Sequence, residues 1–280
     1  MKTIRLKDLH IPSEVLQPLK TNTPLDKFIS TRGGILPSTV YIVVGAAGTG
    51  KTAWGIDTLS KLKKANSSKK FLYISGEQDE IDNFELSQYI PSLSELDTLY
   101  LSGSKNPQPL LESTLKEGWD VVLVDSLEAI TGRVAMTSSL NQKESLRWFM
   151  DLMFKNKRGK NDRNIYTTFL TIQQATKTGV YKGDSSIEFD TTGMLYIKRG
   201  NDNTRTLMFS KNRRGESKKN MEFELKNGEM SYEKPKPIVS EKSIKKNSPQ
   251  KGMGDMIQET IGKSLVSFLI KEVTKKTKKR

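Results

Sequence analysis

The octapeptide GAAGTGKT, residues 45–52, constrains this chain more than any other stretch. It matches G-x-x-x-x-G-K-[ST] at every fixed position, between the apolar run VYIVVG and the helically spaced KTAWGIDTLSKLKKA. A strand that turns through glycines into a helix N-terminus is a phosphate cradle. Gly45, Gly48 and Gly50 let backbone N–H groups curl around an anion. The helix that starts near Lys51 directs the positive end of its dipole at the same charge. The expected nucleotide-binding segment is therefore Gly45, Ala46, Ala47, Gly48, Thr49, Gly50, Lys51 and Thr52. Lys51 can bridge the β- and γ-phosphates of ATP, and the Thr52 hydroxyl can ligate Mg²⁺. The plainer alternative is a chance glycine turn before a helix.

The rest of the chain agrees with this opening. KFLYIS (70–75), TLYLS (98–102), DVVLVDS (120–126) and YTTFLTIQQ (166–174) read as strands, the central ones apolar throughout. QDEIDNFELSQYI (78–90), QPLLESTLKEG (108–118) and SLNQKESLRWFMDLMFKNK (139–157) read as helices between them. Such alternation predicts an α/β fold, with a mostly parallel central sheet covered by helices on both faces. After about residue 190 the alternation stops. GMLYIKR, TRTLMFSK and NMEFELKNGEMSYE read as antiparallel strands extending one sheet edge, with Asn227-Gly228 as a turn.

Residues 1–38 form an entry segment punctuated by Pro24, Gly33, Gly34 and Pro37, and 39–233 the main domain. Residues 234–252 read as a basic flexible linker. Residues 253–280 read as a basic amphipathic helix with Ile257, Ile261, Leu265, Phe268, Leu269 and Val273 on one face. Too short to fold alone, that helix must dock on something, a protein partner being one choice.

Composition excludes several chemistries. The chain has no cysteine and a single histidine, His10, so disulfides, zinc ribbons, thiol catalysis, a histidine metal cluster and a Ser-His-Asp triad are all ruled out. No apolar run is long enough for a membrane helix. The start, MKTIRLKDLH, lacks the apolar core of a secretion signal, which points to the cytoplasm. Net charge is +14, and residues 234–280 hold 13 Lys or Arg against 4 Asp or Glu, so nine of those charges lie in the tail. A basic tail on a mildly basic body suits a polyanion such as nucleic acid; a solubilising tail is the alternative.

A phosphate loop needs acidic partners. Asp125 ends an apolar strand, at the edge where such sheets bind ligands, and can hold Mg²⁺ through water. Capping a helix is its alternative role. In FLYISGEQDE, Glu77 lies just past another strand, after a glycine that permits an unusual turn. A carboxylate there can align a water with the γ-phosphate or accept its proton. Asp79 and Glu80 are neighbours that suit the first turn of the next helix.

Over residues 20–232 the chain resembles the RecA-like P-loop ATPases, and within them the bacterial RadA/Sms recombination proteins. The resemblance is carried by TPLDKFIS…GGILPSTVYIVVGAAGTGKT, LYISGEQ, VVLVDSLEAI, TIQQATKTG and KNRRG. It implies that Glu77 is the catalytic base and that Gln174 senses the γ-phosphate. It implies that Lys211 and Arg213, in the counterpart of the family's KNRFG signature, reach the nucleotide of a neighbouring subunit in a hexameric ring or filament. FSKNRRGES taken alone reads equally as a solvated basic turn. Departures are Ser38 for a glycine, Gln174 for a histidine, and Arg214 for the signature's Phe. The family's zinc finger and Lon-like domain have no counterpart, so a reduced, core-only version is expected; phage-encoded relatives often look like this, and the expected location is the cytoplasm, the host's if the chain is phage-encoded.

The resemblance further implies single-stranded DNA threaded past two loops. The first is 128–143 with Arg133 and Lys143; the second is 175–189 with Lys177, Tyr181 and Lys182. Plain surface loops are the alternative, and KNKRGKNDR (155–163) reads as a solvated loop. The expected activity is a DNA-dependent ATPase of recombination, branch migration or repair. A DnaB-type helicase motor and a nucleotide-gated DNA scaffold without turnover are the competing expectations.

Overall fold

The computed structural model describes residues 3, 5–175, 186–200, 204–217, 219–226, 228–233 and 236–237. All belong to one unit, residues 1–238; residues 239–280 lie outside the described residues. Lys177, Tyr181, Lys182 and the expected C-terminal helix therefore also lie outside them. So does the expected linker, apart from Lys236–Pro237.

The elements in chain order are α1 (Leu25–Ile29), β1 (Val40–Gly45), α2 (Lys51–Ala65), β2 (Phe71–Ser75), α3 (Glu80–Tyr89), β3 (Asp97–Tyr100) and α4 (Pro107–Lys116). Next come β4 (Val121–Asp125), α5 (Leu127–Thr137), α6 (Gln142–Lys157), β5 (Thr168–Gln174) and α7 (Ser186–Asp190). The chain continues through β6 (Gly193–Arg199), β7 (Arg205–Asn212), β8 (Lys219–Lys226), β9 (Glu229–Tyr232) and β10 (Lys236–Pro237). One sheet runs β10-β8-β7-β6-β1-β5-β4-β2-β3, with β9 paired to β8.

The strands from β3 to β6 in that order are mutually parallel. The antiparallel part begins only at the β6–β7 pair. This corrects the expectation that GMLYIKR is antiparallel. The chain crosses back between β5 and β6, so β6 enters the sheet beside the start of β1, with Gly193 opposite Tyr41.

The apolar runs explain the layering. Every residue of β1 is buried, and its side chains alternate: Tyr41 and Val43 join the core under α2, while Val40, Ile42 and Val44 join the core under α4–α6. On one face α2 buries Trp54, Ile56, Leu59 and Leu62. On the other, α5 and α6 bury Ile130, Val134, Phe149 and Met153. β9 reaches the outer side of α2, where Lys61 Nζ donates to the Met230 carbonyl at 2.9 Å; hence α2 is buried on more than one stripe. The entry segment contributes Leu19, Leu25, Phe28, Ile29 and Ile35 to the same core. Phe28 stacks on Phe209 with ring centroids 5.2 Å apart. Among the described residues no helix is long and apolar enough to cross a membrane.

Candidate nucleotide site

The C-terminal edge of the parallel strands gathers the candidate groups. β1 ends in Gly45 and the chain turns through the glycine-rich loop into α2. Gly50 takes the left-handed conformation (φ 89°) at the N-cap of α2, which a side chain would resist. Gly45 is required for space: a Cβ there would lie 2.7 Å from Thr49 Oγ1 and 2.8 Å from the Ile197 carbonyl. Lys51 Nζ donates to the Ala46 carbonyl at 2.9 Å, so the lysine folds back over its own loop. Burial holds its ammonium below the ordinary lysine range, with Asp125 and Glu77 opposing that shift.

Asp125 closes the site from β4. The Thr52 hydroxyl donates to Asp125 Oδ2 at 2.6 Å, which brings together the two side chains expected to hold the metal. Asp125 is 4% exposed. Burial pushes its carboxyl up to about 6, Thr52 and Lys51 pull it down, and Glu77 adds to the rise. A hydroxyl and a carboxylate oxygen beside a phosphate cradle are hard donors, which fits Mg²⁺. Helix capping falls to the next residue: Ser126 Oγ accepts from Ala129 N–H at the start of α5.

Glu77 follows from β2 by the same logic. A Cβ on Gly76 would sit 2.8 Å from Ile130 Cγ1, so only glycine lets the chain pass this close to α5. Gly76 N–H donates to the Asp125 carbonyl at 2.7 Å, locking the two strand ends together. Glu77 Oε1 then accepts from Ser126 Oγ at 2.5 Å. Asp79 caps α3, accepting from Asp82 N–H at 2.9 Å, as its position suggested. Gln174 ends β5 directly opposite Gly45. Lys51, Thr52, Glu77, Asp125 and Gln174 all line one open cleft of about 390 Å³, within the size range of small-molecule sites. Larger clefts of about 650 and 540 Å³ lie between α4 and α6 and beside the entry segment, away from the phosphate loop.

The surroundings differ from the sequence reading in two ways. Residues 128–143 are mostly not a loop: α5 occupies Leu127–Thr137 and α6 begins at Gln142. Ser126 caps α5, and Leu127, Ile130 and Val134 anchor it to the core. Arg133 is half-buried on that helix, and Lys143 is exposed in the first turn of α6. Second, the site carries an arginine of its own, Arg205 at the start of β7, which lines the same cleft. Sequence reasoning passed over it, although the alternation Arg205, Leu207, Phe209 in RTLMF puts it in the inward column of a strand.

Lys211 and Arg213 lie elsewhere. β7 runs antiparallel to β6, so its end, where Asn212 pairs with Gly193, is at the edge opposite the phosphate loop. Lys211 lies six residues along the strand from Arg205, a distance of about 20 Å. Lys211 Nζ donates to the carbonyls of Glu188 and Phe189, and Arg213 Nη2 to that of Phe189 at 2.6 Å. Both cations thus sit on the last carbonyls of α7. Arg214 is held by its backbone, which accepts from Thr31 N–H at 3.0 Å. Lys157 at the end of α6 stands close to it: burial lowers the Lys157 ammonium most, followed by Arg214, Arg158 and Arg213. Lys157 of the first basic segment is thus within electrostatic reach of Arg213 and Arg214 in KNRRG, and Arg214 is exposed rather than packed as an aromatic would be.

No protein-family model matches the chain, and no curated protein matches it. Solved structures do. A KaiC-like protein from the archaeon Pyrococcus horikoshii superposes with a TM-score of 0.56 at 17% identity, over 78% of this chain and 99% of that one. The flagellar accessory protein FlaH from Methanocaldococcus jannaschii gives 0.53 at 17% identity, over 75% and 94%. The chain has a RecA-like fold. At such identity the likeness speaks for the fold, and the chemistry rests on the residues above.

Proposed function

We propose that this chain hydrolyses ATP as a DNA-dependent ATPase of the RadA/Sms kind, working as a homo-oligomer on single-stranded DNA in recombination or repair. The convergence of Lys51, Thr52, Asp125, Glu77 and Gln174 on one cleft carries the reading. The loop amides and Lys51 hold the phosphates. Thr52 and Asp125 would hold Mg²⁺, which when bound neutralises charge on the β- and γ-phosphates. Glu77 orients a water in line with the γ-phosphate and takes its proton, and Gln174 hydrogen-bonds the γ-phosphate from the β5 side.

Lys211 and Arg213 act in a neighbouring subunit. Their position about 20 Å along β7 from the cleft supports this, since no side chain spans that length back to its own nucleotide. Chain charge of +14 supports an anionic polymer as partner. DNA contacts by Arg133, Lys143, Lys177, Tyr181 and Lys182, and a partner for the C-terminal helix, belong to the same proposal.

Phosphate release by wild type and Glu77→Gln, with and without single-stranded DNA, tests it. Wild type should turn over ATP faster with DNA, and Glu77→Gln should bind ATP normally and barely hydrolyse it. Turnover indifferent to DNA would sink the DNA dependence. Normal binding without turnover in wild type would favour a nucleotide-gated scaffold.

A further inference from the structure

Arg205 is an anomaly of its strand. Along β7 the inward column is Arg205, Leu207 and Phe209, of which Leu207 is 0% and Phe209 3% exposed. Arg205 pairs across the sheet with Phe223, itself 1% exposed. Arg205 itself is half-buried, its stem in that column and its guanidinium at the cleft that Lys51 and Thr52 also line.

Arg205 Nε donates to the Thr49 carbonyl at 3.1 Å, and so grips the phosphate loop from the β7 side. The side chain lies over Gly50: a Cβ added there would be 3.1 Å from Nε and 3.6 Å from Cδ. On the other side it faces its cross-strand partner Arg199, and like charges directly opposite one another repel. Burial lowers the affinity of Arg205 for its proton, and Arg199 adds to that effect. Lys51 and Arg205 thus both line the cleft at the phosphate loop. A planar guanidinium also matches phosphate oxygens in a way an ammonium does not.

We infer that Arg205 is a nucleotide-binding residue acting in its own subunit, gripping the phosphate chain of a nucleoside di- or triphosphate from the side opposite Lys51. The inference rests on the nucleotide site proposed above. It gives the cleft a cis arginine, distinct from the Lys211 and Arg213 pair at the far end of the same strand.

Binding of a fluorescent ADP analogue to the full chain tests it, with Arg205→Met and Arg205→Lys as variants and inorganic triphosphate as competitor. Methionine keeps the apolar stem and removes the charge; lysine keeps the charge. Arg205→Met should weaken ADP on the order of ten- to a hundredfold, the range for hydrogen bonds to charged groups. Arg205→Lys should recover part of that loss. Inorganic triphosphate should weaken in parallel, because the contact is to phosphate. Melting of the nucleotide-free variants should stay near wild type. Met binding within twofold of wild type overturns the assignment. So does a Lys variant as weak as Met with both melting low, which marks a purely structural role. Weakened ADP with unchanged triphosphate competition overturns the phosphate contact. A wild type that binds no nucleotide overturns the hydrolase reading, and Arg205 with it.

Discussion

Replacing Gly55 with alanine tests how α2 is seated. Gly55 faces the sheet, and a Cβ built on it would lie 2.7 Å from Leu123 Cδ1, 3.0 Å from Leu123 Cδ2 and 3.4 Å from Ile172 Cδ1. Carbon atoms rest at about 3.5–4.0 Å, so Leu123 or the helix must give by roughly 1 Å. Leu123 is fully buried and has little room to turn. Overpacking of this kind costs about 1–3 kcal/mol. Alanine also gains about 0.5–1 kcal/mol over glycine in any helix, which obscures the cost when Gly55 is changed alone. Gly132 in α5 provides the reference, because the nearest atom to its added Cβ is Gln142 Oε1 at 3.9 Å. Gly132→Ala should therefore stabilise the protein, and the two variants should differ by the overpacking cost alone. At about 2–4 °C per kcal/mol for a domain near this size, their melting temperatures should separate by roughly 2–12 °C. Gly55→Ala should also weaken nucleotide binding, since α2 carries Lys51 and Thr52. Equal upward shifts for both variants would mean that α2 does not sit on Leu123 as described.

Two further outcomes follow from buried acids. Asp125→Asn should stabilise the nucleotide-free protein by about 1–3 kcal/mol in urea unfolding at pH 7.5, because burial holds the carboxyl up to about 6. The same variant should lose ATP hydrolysis, so stability and activity move in opposite directions; a destabilised Asp125→Asn would contradict this. Asp57, 3% exposed and bound to Lys61 Nζ at 2.8 Å, has its carboxyl pushed up mainly by burial. A raised pKa means the folded state binds the proton more tightly than the unfolded chain. The cost of the ionised form is absent at the acidic end of the carboxylate range and grows as pH rises through it. Wild type should therefore lose stability relative to Asp57→Asn between pH 4 and 7, and a difference that stays flat or reverses would refute the assignment.

The grouping of the candidate residues was readable because its signals are local. A glycine loop between an apolar run and a helix can be recognised within a few residues, and Asp125 and Glu77 announce themselves by standing at the ends of apolar strands. The features that escaped depend on pairing at a distance. The direction of β6 is decided by a crossover, and nothing in GMLYIKR distinguishes parallel from antiparallel. Arg205 becomes notable only once β7 is paired so that its inward column meets the phosphate loop. Likewise the electrostatic influence of Arg214 on Lys157 links residues more than 50 positions apart. α5 is a different case. Leu127, Ile130 and Val134 have helical spacing behind a serine cap, and the polar residues among them obscured a pattern that was present.

The proposed arrangement, in which one subunit completes the nucleotide site of the next, predicts complementation between defective subunits. Mixing Glu77→Ala with Lys211→Ala tests it directly, with steady-state ATP hydrolysis on single-stranded DNA as the readout. Each variant alone should be nearly inactive. In mixed assemblies some interfaces pair an intact Glu77 with an intact Lys211 from the other chain, so activity should return as the two are combined. Activity that stays at the level of the separate variants, together with a Lys211→Ala protein as active as wild type, would contradict the account.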